Sequence, residues 1–385
     1  MAPRVTILMT VYNGLPFLPE AIESALSQTF QDFELLLIDD ASTDGSVACI
    51  RSYTDARIRL VRLERNVGQA RALNEGLALA QGAYIARLDQ DDVCLPDRLR
   101  HQVALLDRRP EITVVGTRQY WINADGRAWG FEPGVTALRT GDFGTFLGTL
   151  LTSATPVGHP TVMYRRDVIN AVQGYDPAFA PCEDYQLWCR LALQRYQLAV
   201  LPQPLVQVRL HGGRQSVAKF ALQQANARRA HERLVASCGA GPEISRLLQM
   251  DAAFWDEHPS RRQVQALVPA LAMLLQTVRE TFTLSRREYV NMTDRISWWL
   301  GRGAFLAVLR RQRQSLPVYL FAWRIGGVRM LRHPAMLAYP LGFLLSPCFV
   351  APVRRALASI AGWVKRRRTI ARLLLHPARA QGSAT

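Results

Sequence analysis

Apolar and polar positions alternate in a regular order along the first third of the chain. Short apolar runs, each typical of a strand, occupy five stretches: 5–12, 33–40, 58–64, 83–89 and 112–116. Between them, apolar residues recur at helical spacing, most clearly over 16–28 and 68–80. Strands that alternate with helices in this way indicate βαβ units. The pattern therefore predicts an α/β fold with a doubly wound, mostly parallel sheet.

The pattern changes after this α/β segment. Residues 127–158 are rich in Gly and Thr without strong periodicity, and they predict a long loop or small sheet elements. A strand with a short helix, an amphipathic helix and another strand are then expected in turn: 159–176, 182–194 and 197–211. Beyond residue 216 the periodicity is helical. We therefore expect an α/β domain, a helical extension and a basic, apolar final region: 1–216, 217–295 and 296–385.

Carboxylates cluster where the predicted strands end. Asp89, Asp91 and Asp92 directly follow an apolar run, and like charges at this spacing repel one another. In open α/β sheets the carboxyl ends of the strands form the ligand-binding edge. Mg²⁺ and Mn²⁺ take carboxylate oxygens together with substrate phosphates, so the three aspartates predict a site for one of these ions. The alternative is that Asp91 or Asp92 caps the helix that follows, with Asp92 the better placed, but a cap requires one carboxylate rather than three.

Other polar residues at the same edge suit a nucleotide. Tyr12 is placed to stack on a base, Asp40 to accept hydrogen bonds from a base or ribose, and Arg71 to reach a phosphate. Each also has a simpler interpretation. Tyr12 would then be a packed ring, Asp40 a solvated loop acid and Arg71 part of a solvated helix face.

Two later segments offer acid–base chemistry. Glu183 and Asp184 begin the predicted amphipathic helix, where one of them is a candidate general base. The helix dipole explains two acids there equally well. His159 and His211 each end a strand-like run, where a histidine is more often structural than catalytic. His211 is the stronger candidate, because the two glycines after it allow a loop to fold over a bound phosphate.

Charge divides the chain into two different parts. Residues 1–220 hold 22 basic and 23 acidic residues, whereas residues 221–385 hold 25 and 8. Asp294 is the last acidic residue, and sixteen basic residues follow it. The six cysteines are scattered without a C-x-x-C pair, which favours reduced thiols in the cytosol and gives no zinc spacing. The first residues lack the apolar core of a signal peptide, so we expect none.

Several separate motifs together resemble the family-2 inverting glycosyltransferases of GT-A fold. They occur in order over about residues 4–216: VTILMTVYNG, FELLLIDDASTDGS, NVGQARALNEG, ARLDQDD, HPTVMYRR, GYDPAF and CEDYQLWCRL. The resemblance implies a nucleotide-sugar donor, with a UDP-sugar favoured, and Mn²⁺ or Mg²⁺ as cofactor.

The resemblance also implies roles for individual residues. Donor-binding residues would be Thr10, Tyr12, Asp40, Arg71, Asp89 and His211, and metal-binding residues would be Asp89, Asp91 and Asp92. Asp184 corresponds to the catalytic base and Glu183 to its acidic neighbour. His211 with Ser216 is similar to a His-x4-Ser element that closes the donor site in some members. Ala41 stands where many members have Gly.

The basic final region predicts a membrane surface as partner. Residues 333–353 carry no formal charge and approach the length of a membrane span, but four prolines argue against a straight helix. Arginine-rich segments with interleaved Trp and Leu, and the pair Trp298–Trp299, suit a helix lying on an anionic leaflet. A solvated basic face packed on the catalytic domain is one alternative. Nucleic acid is another, which the aliphatic content disfavours, so we expect no nucleic acid partner.

The sequence thus predicts an inverting glycosyltransferase, attached peripherally or monotopically at the cytoplasmic face of the plasma membrane. Its acceptor would be a glycan or a lipid-linked saccharide. One rival is a nucleotidyltransferase, which typically has a Gly-rich phosphate loop after its first strand, and VYNGLPFLPE offers none. The other rival is a non-catalytic membrane-binding protein of the same fold, against which the retained acidic motifs argue.

Overall fold

A computed structural model describes the chain over seven stretches: 2–131, 138, 141–152, 155–212, 219–249, 261–309 and 316–326. The chain divides into two compact units. One comprises residues 1–251 with 269–296, and the other comprises residues 252–268 with 297–385. The domain boundaries predicted at residues 216 and 295 stay predictions.

The first unit is built on one mixed sheet. In the described residues its nine strands are β1 (Val5–Val11), β2 (Phe33–Asp39), β3 (Ile58–Arg62), β4 (Tyr84–Arg87), β5 (Val93–Cys94), β6 (Ile112–Ile122), β7 (Ala128–Phe131), β8 (Met163–Arg165) and β9 (Gln197–Arg209). Their order is β3-β2-β1-β4-β8-β6-β9-β5, and β7 pairs with β6. The first four strands are mutually parallel, as are β6 and β9, whereas β5, β7 and β8 pair antiparallel. The predicted fold class is confirmed.

Helices connect and follow these strands. In the described residues they are α1 (Leu18–Leu26), α2 (Ser46–Arg51), α3 (Gln69–Leu79), α4 (Arg98–Arg108), α5 (Phe143–Leu151), α6 (Arg166–Ala171), α7 (Glu183–Leu193), α8 (Phe220–Ser237), α9 (Pro242–Gln249), α10 (Arg261–Thr281), α11 (Arg286–Leu309) and α12 (Leu316–Gly326). Short 3-10 turns occupy His159–Thr161 and Pro177–Phe179. The helices expected over 68–80 and 182–194 are therefore confirmed.

The core explains why the first strands lack polar alternation. All seven residues of β2 and six of the seven residues of β1 are buried. A parallel strand that is covered on both faces reads as a continuous apolar run. The buried strand ends therefore place their first polar residues together at one edge of the sheet.

The expectation of a loop or small sheet elements over 127–158 is wrong for its second half. α5 lies there, and all nine of its residues are buried. A helix that is apolar on all sides has no amphipathic period, so the sequence pattern could not reveal it. A Cβ atom added to Gly144 would lie 1.9 Å from the carbonyl oxygen of Glu288, which shows how closely α5 approaches α11.

Parts of the predicted helical extension belong to the same unit as the sheet. His231 of α8 lies 2.7 Å from Ser245 Oγ through Nδ1 and 3.0 Å from the Leu151 carbonyl oxygen through Nε2. Arg195 pairs with Glu288 at 3.0 Å. These contacts join α8 to α9 and α5, and they join the turn after α7 to α11.

The predicted membrane segment lies mostly outside the described residues. Residues 333–353 and the basic residues after them are among those not described. The rings of Trp298 and Trp299, within the second unit, are 6.4 Å apart. None of the described helices combines the length and the apolar character that crossing a membrane requires.

Candidate active site

The loops that follow β1, β2 and β4 meet at the carboxyl edge of the sheet. Val11 pairs with Asp39, and Leu8 pairs with Arg87, so the three strands end side by side. The backbone N–H of Asn13 donates to Ser42 Oγ at 3.0 Å. The strand-end residues that the sequence singled out separately therefore share one edge.

Gln90 links two of these loops. Its Oε1 accepts from the backbone N–H of Tyr12 at 2.8 Å, and its Nε2 donates to the carbonyl oxygen of Tyr12 at 3.1 Å. The residue between Asp89 and Asp91 thus turns toward the end of β1. This contact ties the acidic loop to the candidate nucleotide-binding tyrosine, a role that the sequence did not indicate.

The three aspartates form a compact cluster. Asp89, Asp91 and Asp92 each offer one carboxylate oxygen, and these oxygens lie within 4.8 Å of one another. Hard divalent cations take such oxygen ligands at separations of this order, so the residues fit a Mg²⁺ or Mn²⁺ ion. The alternative that Asp92 caps a helix is wrong, because β5 intervenes and α4 begins at Arg98.

A guanidinium, a histidine ring and a backbone N–H group each contact one of the three aspartates. Asp89 pairs with the buried guanidinium of Arg87. Asp91 Oδ2 lies 2.8 Å from His211 Nε2, and Asp92 Oδ1 accepts from the backbone N–H of Arg209 at 2.9 Å. Three neighbouring carboxylates are tolerated because these groups offset their mutual repulsion.

A buried polar network surrounds Arg87. His159 Nε2 lies 2.9 Å from the Tyr175 hydroxyl, which is 3.1 Å from the Tyr164 hydroxyl. Burial and the nearby positive charge of Arg87 lower the pKa of His159 to about 3, so its imidazole is neutral. His159 is therefore a structural histidine in this network, as the sequence favoured.

Glu183 and Asp184 occupy the first turn of α7, as predicted. Glu183 is buried, whereas Asp184 keeps partial access to solvent. Burial, together with the negative charge of Asp184, raises the pKa of Glu183 to about 7. Burial raises the pKa of Asp184 to about 6, against one hydrogen bond that its Oδ1 accepts from the Tyr185 N–H at 2.7 Å. A carboxyl group with a pKa slightly below neutral is suited to proton transfer.

The candidate donor residues lie on the β1, β2 and α3 side of the edge. Thr10 is half-buried on β1, Tyr12 is 46% exposed, and Arg71 is exposed in the first turn of α3. Asp40 is 3% exposed, and its two oxygens accept from the N–H groups of Val67 and Gly68 at 2.7 and 2.9 Å. Asp40 therefore fixes the loop that leads to Arg71, and its contact with a base or ribose stays a prediction.

His211 comes to the acidic cluster from the far end of the chain's α/β segment. Its ring centroid lies 4.8 Å from that of Phe17, in addition to its contact with Asp91. The predicted phosphate-covering loop and Ser216 lie outside the described residues.

Sequence reasoning missed two buried arginines that shape the site. Arg87 and Arg209 each expose 1% of their surface or less. The available signal was their position at the ends of strands, Arg87 on β4 and Arg209 on β9, since arginine is almost never fully buried unless it is paired.

Comparisons with known proteins agree with this geometry. The family described as Glycosyl transferase family 2 matches residues 6–172. EpsE of Bacillus subtilis (strain 168), whose name assigns it to the glycosyltransferases, is 35% identical over 218 residues, which cover 54% of this chain and 73% of EpsE. The amylovoran biosynthesis glycosyltransferase AmsE of Erwinia amylovora is 28% identical over 208 residues, which cover 53% of this chain and 75% of AmsE.

A solved structure shares the fold. Residues 1–349 of TarS from S. aureus, crystallised in complex with UDP-GlcNAc, superpose with a TM-score of 0.51 at 16% identity. The match covers 88% of this chain and 92% of the TarS chain. It is a likeness of fold that agrees with the predicted GT-A class.

Proposed function

The chain belongs to glycosyl transferase family 2, and from this we propose that it moves a sugar from a nucleoside-diphosphate sugar to an acceptor hydroxyl with inversion at the anomeric carbon. We further propose that transfer depends on a divalent cation, Mn²⁺ or Mg²⁺, held by Asp89, Asp91 and Asp92. Asp184 is the proposed general base.

One observation carries this proposal, namely that Arg87 interacts with both acidic sites. Its guanidinium pairs with Asp89. The same buried charge acts on Glu183 and Asp184, and it lowers the pKa of each against the effect of burial. The proposed donor site and the proposed base are thus coupled through one buried cation. Inverting transfer requires the donor and the base to act on the same reacting centre, and the shared interaction with Arg87 agrees with that requirement.

The residues of the site would have the following roles in the transfer. A divalent cation, when bound, supplies positive charge that stabilises the departing diphosphate. Asp184 accepts the proton of the acceptor hydroxyl at a carboxylate oxygen while that hydroxyl oxygen attacks the anomeric carbon. Glu183 is buried next to Asp184, and when ionised its negative charge adds to the local negative potential at the proposed base. A single displacement needs no covalent intermediate.

The proposed donor and acceptor are supported by the comparisons with known proteins. The TarS structure of the same fold was solved with UDP-GlcNAc, which agrees with a UDP-sugar donor. AmsE is named for amylovoran biosynthesis, which agrees with a role in polysaccharide biosynthesis and with a glycan or lipid-linked saccharide as acceptor. Tyr12, exposed beside the cluster, is the proposed stacking partner of the base.

We also propose that the enzyme works at the cytoplasmic face of the plasma membrane. The support is the sequence after Asp294, in which basic residues and no acidic residues occur. Such a segment is attracted to anionic lipid by about 1 kcal/mol for each basic residue near the surface. The full chain should sediment with vesicles that contain phosphatidylglycerol and not with pure phosphatidylcholine vesicles. A variant that lacks residues 301–385 should stay in the supernatant, and its continued sedimentation would refute this anchor.

The transfer itself is tested by product analysis. Purified protein is incubated with UDP-, GDP-, dTDP- and CMP-sugars and a panel of glycan acceptors, and the anomeric configuration of the product is determined by NMR. We expect a nucleoside diphosphate and a product of inverted configuration. A retained configuration would contradict the mechanism, and formation of pyrophosphate from a nucleoside triphosphate and a sugar phosphate would identify a nucleotidyltransferase instead.

A further inference from the structure

Arg209 ends β9 beside the aspartate cluster and is 1% exposed. A guanidinium this deeply buried loses its hydration, at a cost of several kcal/mol that good contacts must offset. Its ionic partner is Glu20, whose side chain is 53% exposed. A single half-solvated carboxylate offsets little of the cost of burying a guanidinium. The other contacts of Arg209 must therefore stabilise its buried position.

Those contacts join separate segments of the chain to the acidic loop. The backbone N–H of Arg209 donates to Asp92 Oδ1 at 2.9 Å. Its Nε donates to the carbonyl oxygen of Asp91 at 3.0 Å. Its Nη1 donates to the carbonyl oxygens of Ala124 and Asn123 at 3.0 and 3.3 Å. One residue therefore fixes both later aspartates and the turn between β6 and β7.

Arg209 and Arg87 contact the acidic loop through different atoms of the aspartates. Arg87 pairs with the carboxylate of Asp89 directly. The guanidinium of Arg209 instead donates to the backbone carbonyl oxygen of Asp91, so it contributes positive charge beside the cluster while it holds the backbone of the loop. On this loop, carboxylate oxygens of Asp89, Asp91 and Asp92 lie within 4.8 Å of one another.

Phe17 completes the arrangement. The Arg209 guanidinium carbon lies 4.8 Å from the Phe17 ring centroid, and the His211 ring lies 4.8 Å from it as well. Planar guanidinium groups stack on aromatic rings, and such stacking limits the orientation of the side chain. Phe17 therefore serves as a common platform for the two side chains that hold the acidic loop.

We propose that Arg209 is a positioning residue whose side chain holds the backbone of Asp91, and with it the loop of Asp91 and Asp92, in place for a divalent cation. The inference rests on the proposed metal-dependent function, and it adds a determinant that lies outside the ligands themselves. Outer residues that orient ligands typically change metal affinity by about tenfold to a hundredfold.

Mn²⁺ binding to the full-length protein without donor, followed by electron paramagnetic resonance of the free ion, tests this role. Arg209→Lys keeps the charge but loses the planar fork, and we expect its Mn²⁺ affinity to fall by about tenfold or more. Arg165→Lys is the matched control, because Arg165 also donates to backbone carbonyls, of Ile112 and Leu106, away from the cluster. We expect this control to keep wild-type Mn²⁺ affinity, whatever its melting temperature.

Two milder variants decide the matter if Arg209→Lys does not fold. Glu20→Gln removes the ionic partner of Arg209, and Phe17→Leu removes the ring on which its guanidinium stacks. Each should lower the affinity for Mn²⁺, as Arg209→Lys should. Wild-type affinity in every folded variant would overturn the positioning role while leaving the proposed function intact. Absence of Mn²⁺ binding by the wild-type protein would instead overturn the proposed metal dependence, and this inference with it.

Discussion

The Nε2 atom of His211 lies 2.8 Å from the Oδ2 atom of Asp91, across 120 positions of the chain. This contact closes the acidic loop after β4 against the end of β9. The half of the site expected to bind a nucleotide sugar is therefore held by the segment that comes last in the α/β part of the sequence.

His211→Ala should weaken the binding of Mn²⁺ and of the donor. Its ring orients a predicted metal ligand, and loss of such an outer contact typically costs about tenfold to a hundredfold in metal affinity. Titration of donor and Mn²⁺ by calorimetry measures the effect. His101→Ala is the control, because the His101 ring contacts the backbone carbonyl oxygen of Asp97, the residue just before its own helix. Unchanged affinities in His211→Ala would contradict the role.

Asp184→Asn should bind the donor normally and lose transfer. Removal of a general base typically costs about a hundredfold to ten-thousandfold in rate. The exposed Asp167→Asn substitution on α6 is the matched control and should keep wild-type turnover. Equal activity of the two variants would refute the assignment of Asp184.

The same Asp184→Asn variant should be more stable than the wild type at neutral pH. Because burial raises the folded-state pKa of Asp184 to about 6, the native state binds its proton more tightly than the unfolded state does. The charge therefore lowers stability progressively as pH rises from about 4 to about 6. We expect an increase of about 1 to 2 kcal/mol at pH 7.5, and a smaller one at pH 5, in denaturant unfolding. A destabilised variant at pH 7.5 would show that the carboxylate is better solvated than the structure indicates.

Transfer should depend on pH with an acid limb. A base with a pKa of about 6 is protonated and inactive at pH 5 and ionised above pH 7. The value of kcat/KM should therefore rise between pH 5 and pH 7 and then level off. A profile that is flat, or that falls across this range, would exclude Asp184 as the group that must be ionised.

Gly144→Ala should destabilise the first unit. A Cβ atom at Gly144 would lie 1.9 Å from the Glu288 carbonyl oxygen, which is backbone and cannot swing away. Overpacking of this kind typically costs about 1 to 3 kcal/mol. Gly130→Ala is the control, since its Cβ would meet Trp121 at an ordinary 3.7 Å. Denaturant unfolding of the two variants checks the difference, and equal stabilities would show that α5 and α11 pack less closely than described.

The sequence was informative where local pattern and tertiary position coincide. The buried strands β1 and β2 are apolar runs that end in polar residues. Their alternation with helical segments predicts the sheet, and their polar ends predict the edge where ligands bind. The first turn of α7 was likewise evident from Glu183 and Asp184 before an amphipathic run. These features are visible because each is encoded within one short segment.

Other features depend on contacts between distant segments and leave little local trace. α5 is buried on every side, so its helical period is hidden. Arginine is usually found at the protein surface. The burial of Arg87 and Arg209 depends on partners far away in sequence, such as Glu20 for Arg209. Asp92 does not cap the helix that follows, because a short strand that pairs with β9 separates it from the start of α4 at Arg98.

The most direct test of the central claim is the binding of a nucleotide sugar at the aspartate cluster. Thermal unfolding is measured with UDP-, GDP-, dTDP- and CMP-sugars, each with and without Mn²⁺, for the wild type and for Asp91→Asn. A ligand that binds only the folded state raises the melting temperature by mass action. We expect one nucleotide sugar to stabilise the wild type in the presence of Mn²⁺ and to have little effect on Asp91→Asn. No stabilisation by any donor at millimolar concentration, or equal stabilisation of both proteins, would contradict the proposed site.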